Sequence, residues 1–225
     1  MVKILQKKSK KKKGGITISS SLSRKPILNK YDQELVSIAR DVIEKGATRF
    51  LGSWENPWKN VKAGVFITAY KTKNDLTSEN VWCCMSNGEY KGKQSVWQNV
   101  LQAAKICATK DSRRTTSIPG HIEISILNTE DQWKLVKNPI DDLKQQKHKS
   151  IYIEDGEWSA IYLPSVWDER SKIWSAQDLL LNLGEKAGLP SWQAGDVYEI
   201  DTWEINEEHS NTGGARTEEN MISDI

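Results

Sequence analysis

Apolar residues recur along the chain at two spacings, which predict helices and strands in mixed order. The first predicted helix has one apolar face, which carries Leu35, Ile38, Ala39, Val42 and Ile43. Asp32 is placed to cap this helix at its start, and Gly46 is placed to end it. The pattern therefore predicts an amphipathic helix at the beginning of the folded region.

Three more segments carry helix signals at their ends. Residues 95–110 open with the capping-box pair Ser95 and Gln98, and their apolar stripe ends at Cys107. Residues 175–190 have a serine at the start and a glycine and a proline at the end. An Asn-Pro pair at 138–139 predicts a third start. Cys107 is interpreted as a small core residue.

Strand patterns alternate with these helices. Residues 65–70 and 81–85 are rich in β-branched or aromatic residues, and residues 121–127 alternate as a half-buried strand would. Residues 151–163 predict a hairpin around an Asp-Gly turn, and residues 197–205 predict one closing strand. Several strands in hairpin-like succession predict an α+β fold with a mostly antiparallel sheet flanked by helices.

Charge is segregated along the 225 residues, although the net charge is only +2. Residues 1–30 hold ten Lys and Arg and no acid, and residues 206–225 hold one Arg against five acids. We interpret both segments as disordered tails around a domain at 31–205. That domain is mildly acidic, which argues against nucleic-acid binding except weakly through the N-terminal lysines.

The same lysine run is a candidate nuclear address, and no apolar run approaches the ~20 residues of a membrane span. Three cysteines without CxxC spacing predict neither a disulfide framework nor a zinc site. We therefore expect a reducing setting, cytoplasmic or, through the lysine run, nuclear, with no metal ion and no cofactor. Cys83 and Cys84 are adjacent on a strand, so they point to opposite faces.

The order of these segments resembles the AMMECR domain family over roughly residues 31–205. The run from IYLPSVWDERSKIW to EKAGLPSW is similar to the C-terminal part of that family. KDSR at 110–113, the IPGHIEISIL that follows soon after, and GVFITAYK at 64–71 resemble its central and first strands. The resemblance implies a domain of two lobes with a groove between them.

The family hallmark is a strand of the form Leu-Arg-Gly-Cys-Ile-Gly that faces the groove. Residues 81–86 match it, but only the cysteine, Cys84, is identical; Trp82 stands in place of the arginine. Family members occur beside Memo-type and radical SAM proteins, which implies an enzymatic role in modifying a small molecule or macromolecule. The missing arginine and glycines instead favour a module that binds a small molecule, a peptide or a partner.

The candidate catalytic residues are Cys84, His148 and Asp111. A histidine oriented by a carboxylate can activate a cysteine, and Arg113 is placed to supply the positive charge that the hallmark arginine would give. The alternatives are a buried unreactive cysteine, an exposed histidine between lysines, and a structural Asp111–Arg113 ion pair. Alternation also predicts that Trp82 shares a face with Cys84.

Ten tryptophans are many for this length, and core packing explains most of them. A more specific hypothesis is that Trp82 and Trp158 line an aromatic groove for a planar ligand or a peptide.

Overall fold

The structure is a computed structural model that describes residues 30–46, 52–145 and 148–207. Its helices are α1 (Lys30–Lys45), α2 (Val96–Lys110), α3 (Pro139–Gln145), α4 (Pro164–Arg170) and α5 (Ala176–Ala187). Its strands are β1 (Val65–Tyr70), β2 (Val81–Met85), β3 (His121–Leu127), β4 (Lys134–Leu135), β5 (Ser150–Asp155), β6 (Trp158–Tyr162), β7 (Asp196–Ile200) and β8 (Thr202–Asn206). The predicted α+β class is confirmed.

The strands form two antiparallel sheets of four strands each. The first has the order β2-β1-β3-β8 and packs one face against α1 and α2. The second has the order β4-β7-β5-β6 and packs against α3 and α5. A third apolar cluster, which includes Phe66, Leu127, Ile161 and Ile200, joins the two sheets. The predicted two-lobed arrangement follows from this division.

The predicted single closing strand at 197–205 is wrong. The segment forms two strands that belong to different sheets: β7 pairs with β5, whereas β8 pairs with β3. The break falls at Asp201, whose carbonyl accepts a hydrogen bond from Asn128 N at 2.9 Å. An extended run of apolar and β-branched residues cannot show from its pattern that the chain changes sheets partway along.

The helix ends follow the sequence signals, including Gly46 after α1 with φ 73°, except at the start of α1. Ser95 and Gln98 form the predicted capping box, and Ser175 caps α5 while Gly188 ends it with φ 79°. Helix α1 already begins at Lys30, so Asp32 does not cap it as predicted. Instead Asp32 accepts a hydrogen bond from Trp58 Nε1 at 2.8 Å.

Strand β3 is buried along its whole length, so the predicted half-buried strand is wrong in that respect. One face packs against the helices, and the second lobe covers the other. No helix in the described ranges is long and apolar enough to cross a membrane.

Both predicted tails lie almost entirely outside the described residues, so the structure says nothing about residues 1–29 or 208–225. At the C-terminal boundary, Asn206 belongs to β8 and Glu207 pairs with Arg40 of α1.

Candidate functional site

A groove of about 520 Å³ lies between the two lobes. Its wall on the first lobe comes from β1, β2 and the loop that joins them, and its wall on the second comes from β6, α4 and α5. Apolar side chains from both lobes line it, among them Phe66, Val81, Ile161 and Val166. The groove is therefore an apolar cleft, and its polar and charged groups stand out against that lining.

Cys84 lies on the groove wall and is the free thiol among the described cysteines. It is partly buried, and Thr68 Oγ1 on the adjoining strand donates a hydrogen bond to its sulfur at 3.3 Å. Cys83 is fully buried on the opposite face, against the helices. The prediction that the two cysteines point to opposite faces is confirmed.

Cys83 is paired with a second cysteine, contrary to the expectation that the chain has no disulfide. The structure pairs it with Cys107 of α2, and the Cα atoms are 5.7 Å apart, a separation that a disulfide requires. The two residues are 24 positions apart, so only the packing of α2 on β2 brings them together. Cys107 is fully buried, as predicted for a core residue.

Trp82 does not share a face with Cys84, which corrects the prediction from alternation. The pairing of β1 with β2 slips between Ala69 and Tyr70, so that Tyr70 pairs with Val81 and Ala69 with Cys83. Trp82 is the extra residue of this bulge and packs into the helix-side core, 3% exposed. A β-bulge breaks the two-residue period, and nothing in the local sequence marks it.

Asp111 and Arg113 hold the backbone of Cys84 on the outer edge of β2. Asp111, which ends α2, accepts a hydrogen bond from Cys84 N at 3.0 Å. Arg113 Nη2 donates to Asp111 Oδ2 at 2.6 Å and to the carbonyl of Cys84 at 3.3 Å. The ion pair thus makes the two main-chain hydrogen bonds that a neighbouring strand would make, and fixes the position of the thiol.

Burial raises the pKa of the Cys84 thiol above its ordinary value. The hydrogen bond from Thr68 and the positive charges of Arg113 and Lys186 act in the opposite direction but do not outweigh burial. The thiol is therefore neutral at physiological pH. Arg113 approaches Cys84 without turning it into a thiolate.

Lys186 of α5 brings a second cation to this end of the groove. Its Nζ donates to the carbonyl of Ile161 at 2.8 Å and lies over the Tyr162 ring, 4.7 Å from the centroid. Partial burial of the ammonium lowers its pKa, and the nearby charge of Arg113 adds to that effect. Lys186 is nevertheless an exposed residue on the groove wall, so an anionic ligand can reach its ammonium.

His148 pairs with an acid of α4 rather than with Cys84. Its Nδ1 pairs with Asp168 Oδ2 at 2.8 Å, and its side chain is 78% exposed. Among the described residues other than glycine, it is the one with a positive φ, 62°. Because Asp111 contacts Cys84 N and Arg113 rather than His148, the three predicted catalytic residues do not form a triad here.

Trp158 lies at the start of β6 and is 61% exposed. Its ring covers Gly188 at the end of α5, where an added Cβ would lie 3.1 Å from Trp158 Cε3. Neither Trp158 nor Trp82 lines the groove. The aromatic side chains of the groove wall are instead Phe66, Tyr70 and Tyr162.

Glu123 is a buried acid near the site that the sequence did not indicate, although it does not line the groove. It is 7% exposed, and its pKa is raised to about 7 by burial and then by the negative charge of Glu204. The alternation of HIEISIL places Glu123 on the face opposite the isoleucines, which the pattern alone assigns to solvent. Only the second lobe, far along the chain, buries it.

The two lobes also meet through hydrogen bonds at the groove rim. Ser78 N and Ser78 Oγ donate to the carboxylate of Glu169 on α4, at 3.1 and 2.7 Å. These exposed contacts connect the β1–β2 loop to the second lobe. No group of three or more His, Cys, Asp or Glu among the described residues is arranged to hold a metal ion.

The AMMECR1 family model matches residues 36–206. Among solved structures, the chain is similar to an uncharacterised protein from Pyrococcus horikoshii, PH0010, at 23% identity and a TM-score of 0.62. That likeness covers 79% of this chain and 92% of the other, and it supports the fold alone. None of the curated proteins matches this chain.

Proposed function

The chain belongs to the AMMECR1 family, and we propose that this member is a binding module whose groove at Cys84 takes a small molecule or a peptide. One observation carries the proposal: an apolar groove of about 520 Å³ that holds two cations, Arg113 and Lys186, beside a neutral thiol. Clefts of this size with a few convergent polar groups are the usual form of ligand sites.

The charge at this end of the groove favours a ligand with an anionic group and an apolar body. Lys186 donates a hydrogen bond to the Ile161 carbonyl and lies over the Tyr162 ring, but it has no carboxylate partner among the described residues. Arg113 is shared between Asp111 and the Cys84 carbonyl, and its side chain remains 47% exposed. Both cations can therefore accept an additional anionic partner.

The test uses 8-anilinonaphthalene-1-sulfonate, an aromatic anion whose fluorescence rises when it leaves water. We expect saturable binding to the native protein, and slower alkylation of Cys84 while the probe is bound. Lys186→Gln should weaken binding about threefold, as expected for the loss of one partly exposed ion pair. Lys144→Gln, an exposed lysine on α3, is the matched control and should leave binding unchanged.

A second variant tests where the probe binds rather than which charge it pairs with. Ser165→Trp adds a large side chain at an exposed position on the groove wall, so it should block the probe without disturbing the core. Saturable binding that neither Lys186→Gln nor Ser165→Trp alters would place the probe elsewhere and would reject the groove as the site.

Cysteine-dependent chemistry with a Memo-type or radical SAM partner is the competing function. A nucleophilic cysteine must ionise near neutral pH, whereas burial raises the pKa of Cys84. For a binding module, the rate of iodoacetamide alkylation of Cys84 should still be rising at about pH 9. A plateau below about pH 7, absent from Cys84→Ser, would favour the enzyme.

A further inference from the structure

The loop that joins α2 to β3 carries the one Arg-Arg pair of the sequence, in the run RRTTS at 113–117. Three side-chain hydroxyls therefore follow two guanidinium groups directly. Every residue from 112 to 118 is exposed, and none of them belongs to a helix or a strand. Exposed loop segments of this kind are where a second enzyme can reach a folded protein.

Both ends of this loop are fixed to the domain. Asp111 is 6% exposed and accepts the hydrogen bond from Cys84 N. At the other end Pro119 is buried, and its carbonyl accepts a hydrogen bond from Arg40 Nη1 at 3.1 Å. The seven exposed residues between these anchors have a length of up to about 24 Å when extended. The middle of the loop can therefore bend away from the domain without unfolding of α2 or β3.

The three hydroxyls of the loop differ in their contacts. Thr115 Oγ1 and Ser117 Oγ form a hydrogen bond with each other at 2.6 Å. The Thr116 hydroxyl has no hydrogen-bond partner among the described residues. Thr116 also follows the two arginines at three and two positions, so that both guanidinium groups and this hydroxyl lie on one short segment. Thr116 is therefore the hydroxyl that can react without first losing a hydrogen bond.

The two arginines differ in how firmly they are held. Arg113 pairs with Asp111 and with the Cys84 carbonyl, and its side chain is 47% exposed. Arg114 is exposed, and its guanidinium lies over the Trp82 ring, 5.5 Å from the centroid. It has no carboxylate partner in the part of the chain that the structure describes. A single contact of this kind is weak, so Arg114 can turn toward an acidic partner.

We propose that Thr116 is phosphorylated by a protein kinase whose acidic pockets bind Arg113 and Arg114, and that the phosphate lowers the affinity of the groove for anions. Thr116 Oγ1 attacks the γ-phosphorus of ATP held by the kinase. A bond from Oγ1 to phosphorus forms, the bond from that phosphorus to the ADP oxygen breaks, and the hydroxyl proton passes to the kinase's catalytic carboxylate. Two adjacent guanidinium groups offer carboxylates two charge-assisted anchors.

The phosphate acts on the groove through its charge. A phosphothreonine carries about −1.5 to −2 charges at neutral pH. It stands three residues from Arg113, which lines the groove, and three residues span at most about 11 Å. This distance is close to the Debye length of about 8 Å at physiological ionic strength, so the phosphate opposes the attraction of Arg113 for an anionic ligand. That consequence rests on the groove being a ligand site, whereas the modification does not.

The test treats the full chain with ATP, Mg²⁺ and the catalytic subunit of cyclic-AMP-dependent protein kinase, which recognises arginines that precede the target hydroxyl. We expect one loop phosphate, located at Thr116 by tandem mass spectrometry, and no loop phosphate in Thr116→Ala. Thr115→Ala and Ser117→Ala are the matched controls and should still be modified at Thr116. Casein kinase II, which recognises acidic residues after its target, should leave the loop unmodified.

Recognition through the arginines is tested separately. Arg114→Gln should lower kcat/KM for phosphorylation of Thr116 about tenfold, the usual size of one charge-assisted hydrogen bond. Lys110→Gln, an exposed cation at the end of α2, is the matched control and should leave it unchanged. A synthetic peptide of residues 110–119 separates sequence from fold. Phosphorylation of the peptide without phosphorylation of the folded chain would overturn the proposal, because the folded loop would then be closed to the kinase.

Binding of the anilinonaphthalene sulfonate before and after phosphorylation tests the effect on the groove. We expect the phosphate to weaken binding about twofold to threefold at low salt, and we expect this difference to disappear at about 0.5 M salt. Thr116→Ala treated with the kinase should bind as the untreated protein does. Equal affinities of the phosphorylated and unmodified proteins would overturn the control of the groove by the phosphate. Saturable binding to neither form would reject the groove as a ligand site and, with it, this control, while phosphorylation at Thr116 is judged by mass spectrometry alone.

Discussion

The two faces of strand β3 carry different chemistry although both are buried. On the helix side, Ile122, Ile124 and Ile126 are almost fully buried in an apolar core. On the side that faces the second lobe, the same strand places Glu123 and Ser125, whose side chains include buried polar atoms with no hydrogen-bond partner among the described residues. One strand thus carries an apolar core on one face and a buried polar layer on the other.

The difference separates burial that stabilises the fold from burial that opposes it. Burying apolar area on the helix side contributes roughly 25 cal/mol per Å². Burying a carboxyl group without a full set of hydrogen bonds opposes folding. A strand that keeps Glu123 at such a position therefore carries a stability cost.

The largest expected effect comes from the helix face. Ile124→Ala should lower the free energy of unfolding by about 3 kcal/mol, because the methyl groups it removes leave a cavity between β3 and the helices. Its neighbour Ser125→Ala is the matched control on the opposite face and should be nearly neutral, since its hydroxyl has no hydrogen-bond partner among the described residues. Urea unfolding of both variants measures the contrast, and equal losses would contradict it.

Glu123→Gln should produce a pH-dependent change of similar size. The pKa of Glu123 is raised from 4.5 to about 7 in the folded state, so the folded protein binds this proton more tightly than the unfolded chain does. Stability therefore falls as pH rises from about 4.5 to about 7, and levels off above that. The glutamine variant lacks this loss, and should gain up to about 3 kcal/mol relative to wild type across the window.

Urea unfolding at about pH 5 and about pH 8 measures that gain. Glu157→Gln, which replaces an exposed glutamate in the β5–β6 turn, should show the same difference from wild type at both pH values. A Glu123→Gln variant that tracks wild type at both pH values would mean that Glu123 titrates as an exposed carboxylate.

Local sequence signals predicted the elements of the fold well because those signals act within a few residues. The Ser95–Gln98 box and the Gly188 end of α5 are made by side chains and backbone near their own helix, so their pattern is sufficient. The passage from β7 to β8 at Asp201 depends on two different partner sheets. No local pattern records which sheet an extended segment joins.

The candidate site was predicted only in part for the same reason. Cys84, Asp111 and Arg113 lie together in the structure, which the sequence alone did not establish, and a bulge turns Trp82 into the opposite core. The burial of Glu123 was not predicted, because alternation separates two faces without saying whether the second one meets water or another lobe. Burial by a distant segment is what raises the pKa of Glu123 above that of an ordinary glutamate.

The smallest expected effect tests the ion pair that holds Cys84 at the edge of β2. Asp111→Ala should cost about 2 kcal/mol, because it leaves Cys84 N without its acceptor and Arg113 without its partner. Arg113→Gln should cost under about 1 kcal/mol, since the guanidinium is half exposed and water can replace part of its contacts.

A double-mutant cycle, measured by urea unfolding, separates the interaction between Asp111 and Arg113 from the contribution of each residue alone. If the ion pair acts as one unit on the Cys84 backbone, the double variant should be less destabilised than the two single changes added together. Strict additivity would mean that Asp111 and Arg113 hold β2 independently. The rate of Cys84 alkylation in the same variants locates the effect. A loosened edge of β2 should speed labelling, whereas a loss of stability elsewhere should leave the native-state rate unchanged.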